Sequence, residues 1–399
     1  MRYQYRQHPS RLSTLVVTYG GGSRAEFQRQ FPAGIAHFME HFRFKGTAKY
    51  NSKDLTRQVA FYGGSWNAFT SEDLVSYHIS IPDENLEQAF EYLSQITLHP
   101  TFPEHELERE KEVVCQEVRM YEDDIGSLAH WHLRGKVFSN ALSSNIVGTE
   151  NSVRSITRAD LLNFNNAFYS KEHMLVTLSA RNDRLDLVEK YFGLVDDILV
   201  YPPADMNPTY GDSFRGTVHK DGIIQDSILV SFGAPDMYDV SKRAVCKVFN
   251  SVFGGADDAR LFMRLRDDMG LVYGIYSHMS NNMDGALFQI GTQTDPENTQ
   301  TVLSLINEEI FSMTSTKPTD EEMQRAKNRI RSSEYAAVDS SHGVAMKALY
   351  EEFYGLESGS KFLAEIDAVT PEQVLDFAKM VFSSKKYIVI GTSKEKENG

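Results

Sequence analysis

The chain has 399 residues, 41% of them hydrophobic, which is enough for two domains with proper cores. Its 55 acidic against 41 basic side chains leave a net charge of −14, which argues against nucleic acid and against an anionic membrane surface as partners. No 18 apolar residues run together, Met1–His8 carry no apolar leader, and Cys115 and Cys246 sit in apolar helical patterns as free thiols, so a soluble, cytoplasmic protein is expected.

In chain order, Leu12 to Tyr19 is rich in β-branched residues and predicts a strand, followed by a Gly20-Gly21-Gly22 turn. Gly34-Ile35-Ala36-His37-Phe38-Met39-Glu40-His41-Phe42 predicts a buried helix, apolar nearly all round, that closes near Gly46. Asn51 opens a helix running to Gly63-Gly64, and Ser65–Thr70 with Val75–Ile81 read as a hairpin. An amphipathic helix from Pro82-Asp83 ends near His99-Pro100, a long helix covers Glu104 to Tyr121, and another follows Gly126. A helix from Thr157 leads into a strand over Met174–Leu178, and a helix over Leu185–Phe192 closes this half.

Residues 201–213, rich in proline, read as a linker. The second half opens with a strand over Ser227–Phe232, then helices from Val240 and Ala259 and a strand over Ala286–Ile290. Four helical segments lead to a last strand, Tyr387–Ile390, and the tail Lys394–Glu397 is solvated charge.

An internal repeat relates the halves. Thr157-Arg158-Ala159-Asp160-Leu161 corresponds to Thr370-Pro371-Glu372-Gln373-Val374, and the strands that follow correspond at the same spacing. Each copy carries a threonine N-cap with an acid or amide three residues on, the pattern of a capping box. A second correspondence pairs Glu106–Lys111 with Glu322–Lys327. The expected fold class is α+β: two similar domains, residues 1–200 and 214–399, each a mostly antiparallel sheet covered by helices.

The chemistry is concentrated in the helix around residue 40. At 3.6 residues per turn, His37, Glu40 and His41 share one face. Two imidazoles on adjacent turns supply half of a tetrahedral zinc site, and the glutamate between them is placed to take a proton from water. This H-x-x-E-H order is an inverzincin signature, although two buried histidines also occur as a structural pair. A third ligand is needed. On the helix after residue 104, Glu110 and Glu117 share a face, and the repeat replaces them with Ala326 and Ser333. The second half also lacks the His-Glu-His set, which puts the chemistry in the first half. Spacing favours Glu117 over Glu108, Glu110 and Glu112 only modestly.

Gly34–His41 followed by Phe44-Lys45-Gly46-Thr47 resembles the pitrilysin/insulinase family, which includes the mitochondrial processing peptidases. So do Gly63–Ser71 and Glu108–Val114. The resemblance implies one Zn2+ per chain on His37, His41 and Glu117, Glu40 as general base, and Glu110 as the glutamate that supports a ligand. It implies that Arg266 and Tyr273, in Leu265–Tyr273, bind the substrate backbone and help stabilise the tetrahedral intermediate. The strand at Asn67, Ala68 and Phe69 resembles the edge to which family substrates add.

The implied activity is hydrolysis of unfolded peptides by a zinc endopeptidase inside an enclosed chamber. A chain carrying both the metal set and the arginine–tyrosine pair is expected to form a homodimer. The alternative is a non-catalytic structural or partner subunit. Two departures are noted: most of the family's first strand is expected to be missing, and Ser139–Val147 replace its usual proline and arginine stretch.

Overall fold

The computed structural model describes residues 1–393 except 29, 195–209, 236–239, 283–284 and 357–358. The linker segment 201–213 therefore lies largely, and the tail 394–397 wholly, outside the described residues. The first half runs β1 (Arg2–Gln7), β2 (Leu12–Tyr19), α1 (Ser23–Gln28), α2 (Ile35–Phe42), α3 (Ser52–Phe61), β3 (Ser65–Thr70), β4 (Val75–Pro82) and α4 (Leu86–Leu98). It continues through α5 (Glu104–Asp123), α6 (Ile125–Val137), α7 (Glu150–Ser155), α8 (Arg158–Phe168), β5 (Met174–Ala180) and α9 (Leu185–Phe192). The second half runs β6 (Phe214–His219), β7 (Asp226–Ala234), α10 (Val240–Phe253), α11 (Arg260–Phe262), β8 (Ile275–Asn282) and β9 (Gly285–Thr294). After these come α12 (Thr299–Ser315), α13 (Asp320–Ala336), α14 (Ser341–Tyr354), α15 (Ser360–Ala368), α16 (Pro371–Phe382) and β10 (Lys386–Thr392).

The strand orders are β1-β5-β2-β4-β3 and β6-β10-β7-β9-β8, so one order becomes the other when five is added to each strand number. Each sheet has one parallel pairing, β1 with β5 or β6 with β10, and is otherwise antiparallel. The two similar α+β domains are thus present, with sheets that are mixed. Local capping agrees: Thr157 with Asp160 and Thr370 with Gln373 each close a reciprocal capping box at the start of α8 and α16.

Three strands escape the sequence pattern. The expected loss of the first strand is corrected, because Arg2–Gln7 forms β1 in register with Leu175–Ala180 of β5. β6 and β8 were likewise unmarked. All three are edge strands, which bury little and so carry no strong apolar alternation; in β6 every second residue is exposed. Among the described residues, five helices rather than four separate β9 from β10.

Packing groups the chain into two compact units that are not contiguous in sequence. The first comprises Met1–Arg119, Ser144–Ala204 and Tyr335–Leu356; the second comprises Met120–Ser143, Asp205–Glu334 and Glu357–Gly399. Hence α14 belongs to the first unit and α6 to the second. Each is the third of five helices between the last two strands of its half, so the repeat makes them counterparts. In the first unit α14 lies on β2, β5 and β1, burying Ala345, Ala348 and Leu349. In the second unit α6 lies on the corresponding strands β7, β10 and β6, and Ala129, Leu133 and Val137 pack with Leu229, Tyr387 and Val389. No helix among the described residues is long and apolar enough to cross a membrane.

Candidate metal centre

Helix α2 is buried along almost its whole length, and both of its ends are held by buried polar side chains. At its start Gly34 has φ 87°, and a Cβ there would lie 2.6 Å from the Val147 carbonyl oxygen, so only glycine is accommodated. The buried Glu26 carboxylate, carried by α1, accepts the backbone N–H groups of Gly34 (2.9 Å) and Ala36 (2.8 Å). It satisfies two free helix donors, and burial, working against those two hydrogen bonds, pushes its pKa up to about 8. Just past the helix, the fully buried Arg43 donates to the carbonyls of Ile96 (3.0 Å) and Thr97 (2.7 Å) and to the Asn165 side chain. Its guanidinium also lies 4.0 Å from the Tyr169 ring centroid.

On this helix His37 and His41 meet Glu117 of α5. His37 Nε2 is 3.6 Å from Glu117 Oε1, His41 Nε2 is 3.4 Å from Glu117 Oε2, and ligand atoms of the three residues lie within 4.8 Å of one another. A tetrahedral zinc with bonds of about 2.0–2.1 Å has ligand-to-ligand edges of about 3.4 Å, so the three residues fit that ion. Glu110 lies one step behind. Its Oε1 is 3.0 Å from His41 Nδ1, and Lys45 Nζ is 2.6 Å from its Oε2. The contact to Nδ1 leaves His41 Nε2 for a metal. Glu108 and Glu112, which spacing left open, face elsewhere: Glu108 pairs with Lys111 (2.8 Å) and Glu112 with Arg154 (2.6 Å).

The electrostatics favour a cation at this point. Burial and the neighbouring His41 push His37 down to about 4, which keeps it in the neutral form that ligates metals. Burial opposes charge on His41 too, but hydrogen bonds with Glu110 and Glu117 outweigh it and raise His41 to about 9. Positive charge on His41 is thus stabilised by the Glu110 and Glu117 carboxylates on either side of its ring. Burial raises Glu40 above the ordinary carboxylate range, against the Thr70 hydroxyl that donates to its Oε2 at 2.6 Å.

Thr70 ends β3, the sheet edge that carries Asn67, Ala68 and Phe69. β3 pairs with β4 alone, and its Ala68 N–H is met by the Asn67 side chain at 2.9 Å. In the second unit, Arg266 lies in a π-helical turn, Met263–Asp268. Its guanidinium donates to the Tyr273 carbonyl and stacks 4.8 Å from the Tyr273 ring centroid. Tyr273 itself is 85% exposed. Sequence reasoning did not assign Glu26, Arg43, Lys45 or Thr70. Lys45 and Thr70 lie within segments that carry the family resemblance, whereas Glu26 and Arg43 look in the sequence like ordinary surface charge.

Residues 4–150 match the family profile described as Insulinase (Peptidase family M16), and residues 155–330 match that of the Peptidase M16 inactive domain. An uncharacterized zinc protease of Bacillus subtilis is 27% identical over 94% of this chain and 91% of its own length. Another, from Streptomyces coelicolor, is 25% identical over 96% of this chain and 87% of its own. Among solved structures, a protease from Helicobacter pylori superposes with a TM-score of 0.89 at 20% identity, covering 97% of this chain and 96% of that one.

Proposed function

The chain belongs to the insulinase family, peptidase family M16, and from that premise we propose that it is a zinc-dependent endopeptidase acting on unfolded peptides. The observation that carries this reading is the convergence of His37, His41 and Glu117, whose ligand atoms lie within 4.8 Å of one another, with Glu40 on the same helix as the two histidines. A zinc ion held there would polarise the scissile carbonyl and lower the pKa of water. Glu40 is the general base: its raised affinity for a proton suits it to take one from the attacking water and return it to the leaving amine. Thr70 holds Glu40 in place, and Glu110 fixes the tautomer of His41. β3 offers an open sheet edge for the substrate backbone, a mode that gives affinity with little sequence preference. Arg266 and Tyr273 supply donors for the developing oxyanion.

We propose further that the protein works as a homodimer in which Arg266 and Tyr273 of one protomer serve the metal centre of its partner. Mixing the Glu40→Gln protein with the Tyr273→Phe protein tests this arrangement: recovered activity supports it, and an isolated monomer with full activity sinks it. The peptidase reading is tested by hydrolysis of a quenched fluorescent peptide with zinc assayed on the same sample. Wild type should cleave, and Glu40→Gln should keep about one zinc per chain while losing activity. A zinc-loaded wild type that cleaves nothing would turn the assignment toward a partner subunit.

A further inference from the structure

The second unit contains a cavity of about 850 Å3 lined by the start of α6 and by β7, β8 and β9. Its wall carries four large aromatic rings, Trp131 and Tyr121, with ring centroids 6.1 Å apart, and Tyr276 and Tyr273 of the opposing segment, beside His130 and His278. One position keeps it open. Gly291 of β9 is in register with Tyr276 of β8, and a Cβ at Gly291 would lie 2.4 Å from the Tyr276 phenol oxygen. The Tyr276 ring therefore lies flat over a backbone position that only glycine allows.

The charge on the wall decides among occupants. Among the described lining residues Asp124 is the one carboxylate, and no lysine or arginine lines the cavity. Asp124 Oδ2 is already engaged by the Ser127 N–H and hydroxyl, both at 2.7 Å, as the N-cap of α6. The wall therefore offers a cation one carboxylate, tied to a helix end through Oδ2, and offers an anion no lysine or arginine. A flat ring would find aromatic faces.

We propose that this cavity receives a bulky aromatic side chain of a peptide substrate, and so sets sequence preference for an enzyme whose strand-edge contacts set little. The assignment rests on the peptidase reading, because Tyr273, which that reading gives to the substrate, also lines this cavity.

The test uses the full-length Glu40→Gln protein loaded with zinc and a set of short unstructured peptides. In these an alanine is replaced, position by position, by phenylalanine, arginine or glutamate, and equilibrium binding is read by fluorescence anisotropy. At one position phenylalanine should bind about tenfold tighter than alanine, from ring burial, with no gain for arginine. Gly291→Ala, which drives the Tyr276 ring into the cavity, should abolish that preference. Trp131→Ala should abolish it independently. A flat profile, a preference for arginine, or a phenylalanine preference that survives both variants overturns the proposal. Cleavage by wild type is scored separately: a protein that cleaves nothing but keeps the phenylalanine preference refutes the peptidase reading and leaves the pocket assignment standing.

Discussion

Glu110 is 1% exposed and has one carboxylate oxygen on His41 and the other on Lys45. Glu110→Gln replaces one of those acceptor contacts with an amide donor and frees the imidazole to turn. Zinc affinity, measured by chelator competition, should fall about 10–100-fold while the fold is kept. Thr70→Val bears on Glu40 instead. The hydroxyl stabilises the ionised carboxylate against the burial that raises its pKa, so removing it raises that pKa further. In the proposed mechanism Glu40 must be ionised to act as base, so activity should be lost as pH falls through its pKa. The acid limb of kcat/KM should therefore move to higher pH in Thr70→Val, with zinc content unchanged; an unmoved limb refutes the role given to Thr70.

At the scale of elements, helix α2 can carry the proposed metal centre because its ends are fixed. Glu26→Gln turns one of the two acceptors of Gly34 and Ala36 into an amide donor, which leaves a buried N–H unpaired, and should cost about 1–3 kcal/mol in denaturant unfolding, with weaker zinc binding alongside. A second element-level prediction concerns α14 on the first sheet. His342 of α14 and His78 of β4 have ring centroids 4.8 Å apart, and burial together with the nearby His342 pushes His78 down to about 4. The unfolded chain takes up this proton near pH 6.5, whereas the folded state resists it. The stability from this site is therefore complete above that pH and is lost as pH falls toward 4, at up to about 1.4 kcal/mol per pH unit for one proton. His78→Gln should flatten the fall in unfolding free energy between pH 7 and pH 5. An unchanged slope would show that other groups carry it.

For the whole molecule, the exchange of α6 and α14 means that neither sequence half contains all of its own compact unit. Residues 1–200 lack the helix that buries Ala345, Ala348 and Leu349 against β2 and β5, and an uncovered sheet face does not persist in water. Expressed separately, 1–200 and 201–399 should each fail to unfold cooperatively, and expressed together they should recover a cooperative transition and metal binding. A cooperative transition in 1–200 alone refutes this coupling. Leu349→Ala, fully buried in α14, should cost about 2–5 kcal/mol, an effect exerted on the first unit by a residue far along the second half.

The sequence by itself determined what depends on neighbours within a turn or two. The common face of His37, Glu40 and His41, the capping boxes at Thr157 and Thr370, and the apolar central strands all follow from backbone periodicity, and the repeat follows from reading those local patterns twice. Spacing along α5 could not choose among four glutamates, because the choice depends on which face of that helix meets α2. The family resemblance named Glu117 and Glu110, and the tertiary structure gives the physical reason, turning these two toward α2 while Glu108 and Glu112 pair elsewhere. The edge strands β1, β6 and β8, the trade of α6 for α14, and the glycine floor under Tyr276 belong to the same class. Each is a contact between residues distant in sequence, and neither propensity nor period carries information about which surfaces the folded chain brings together.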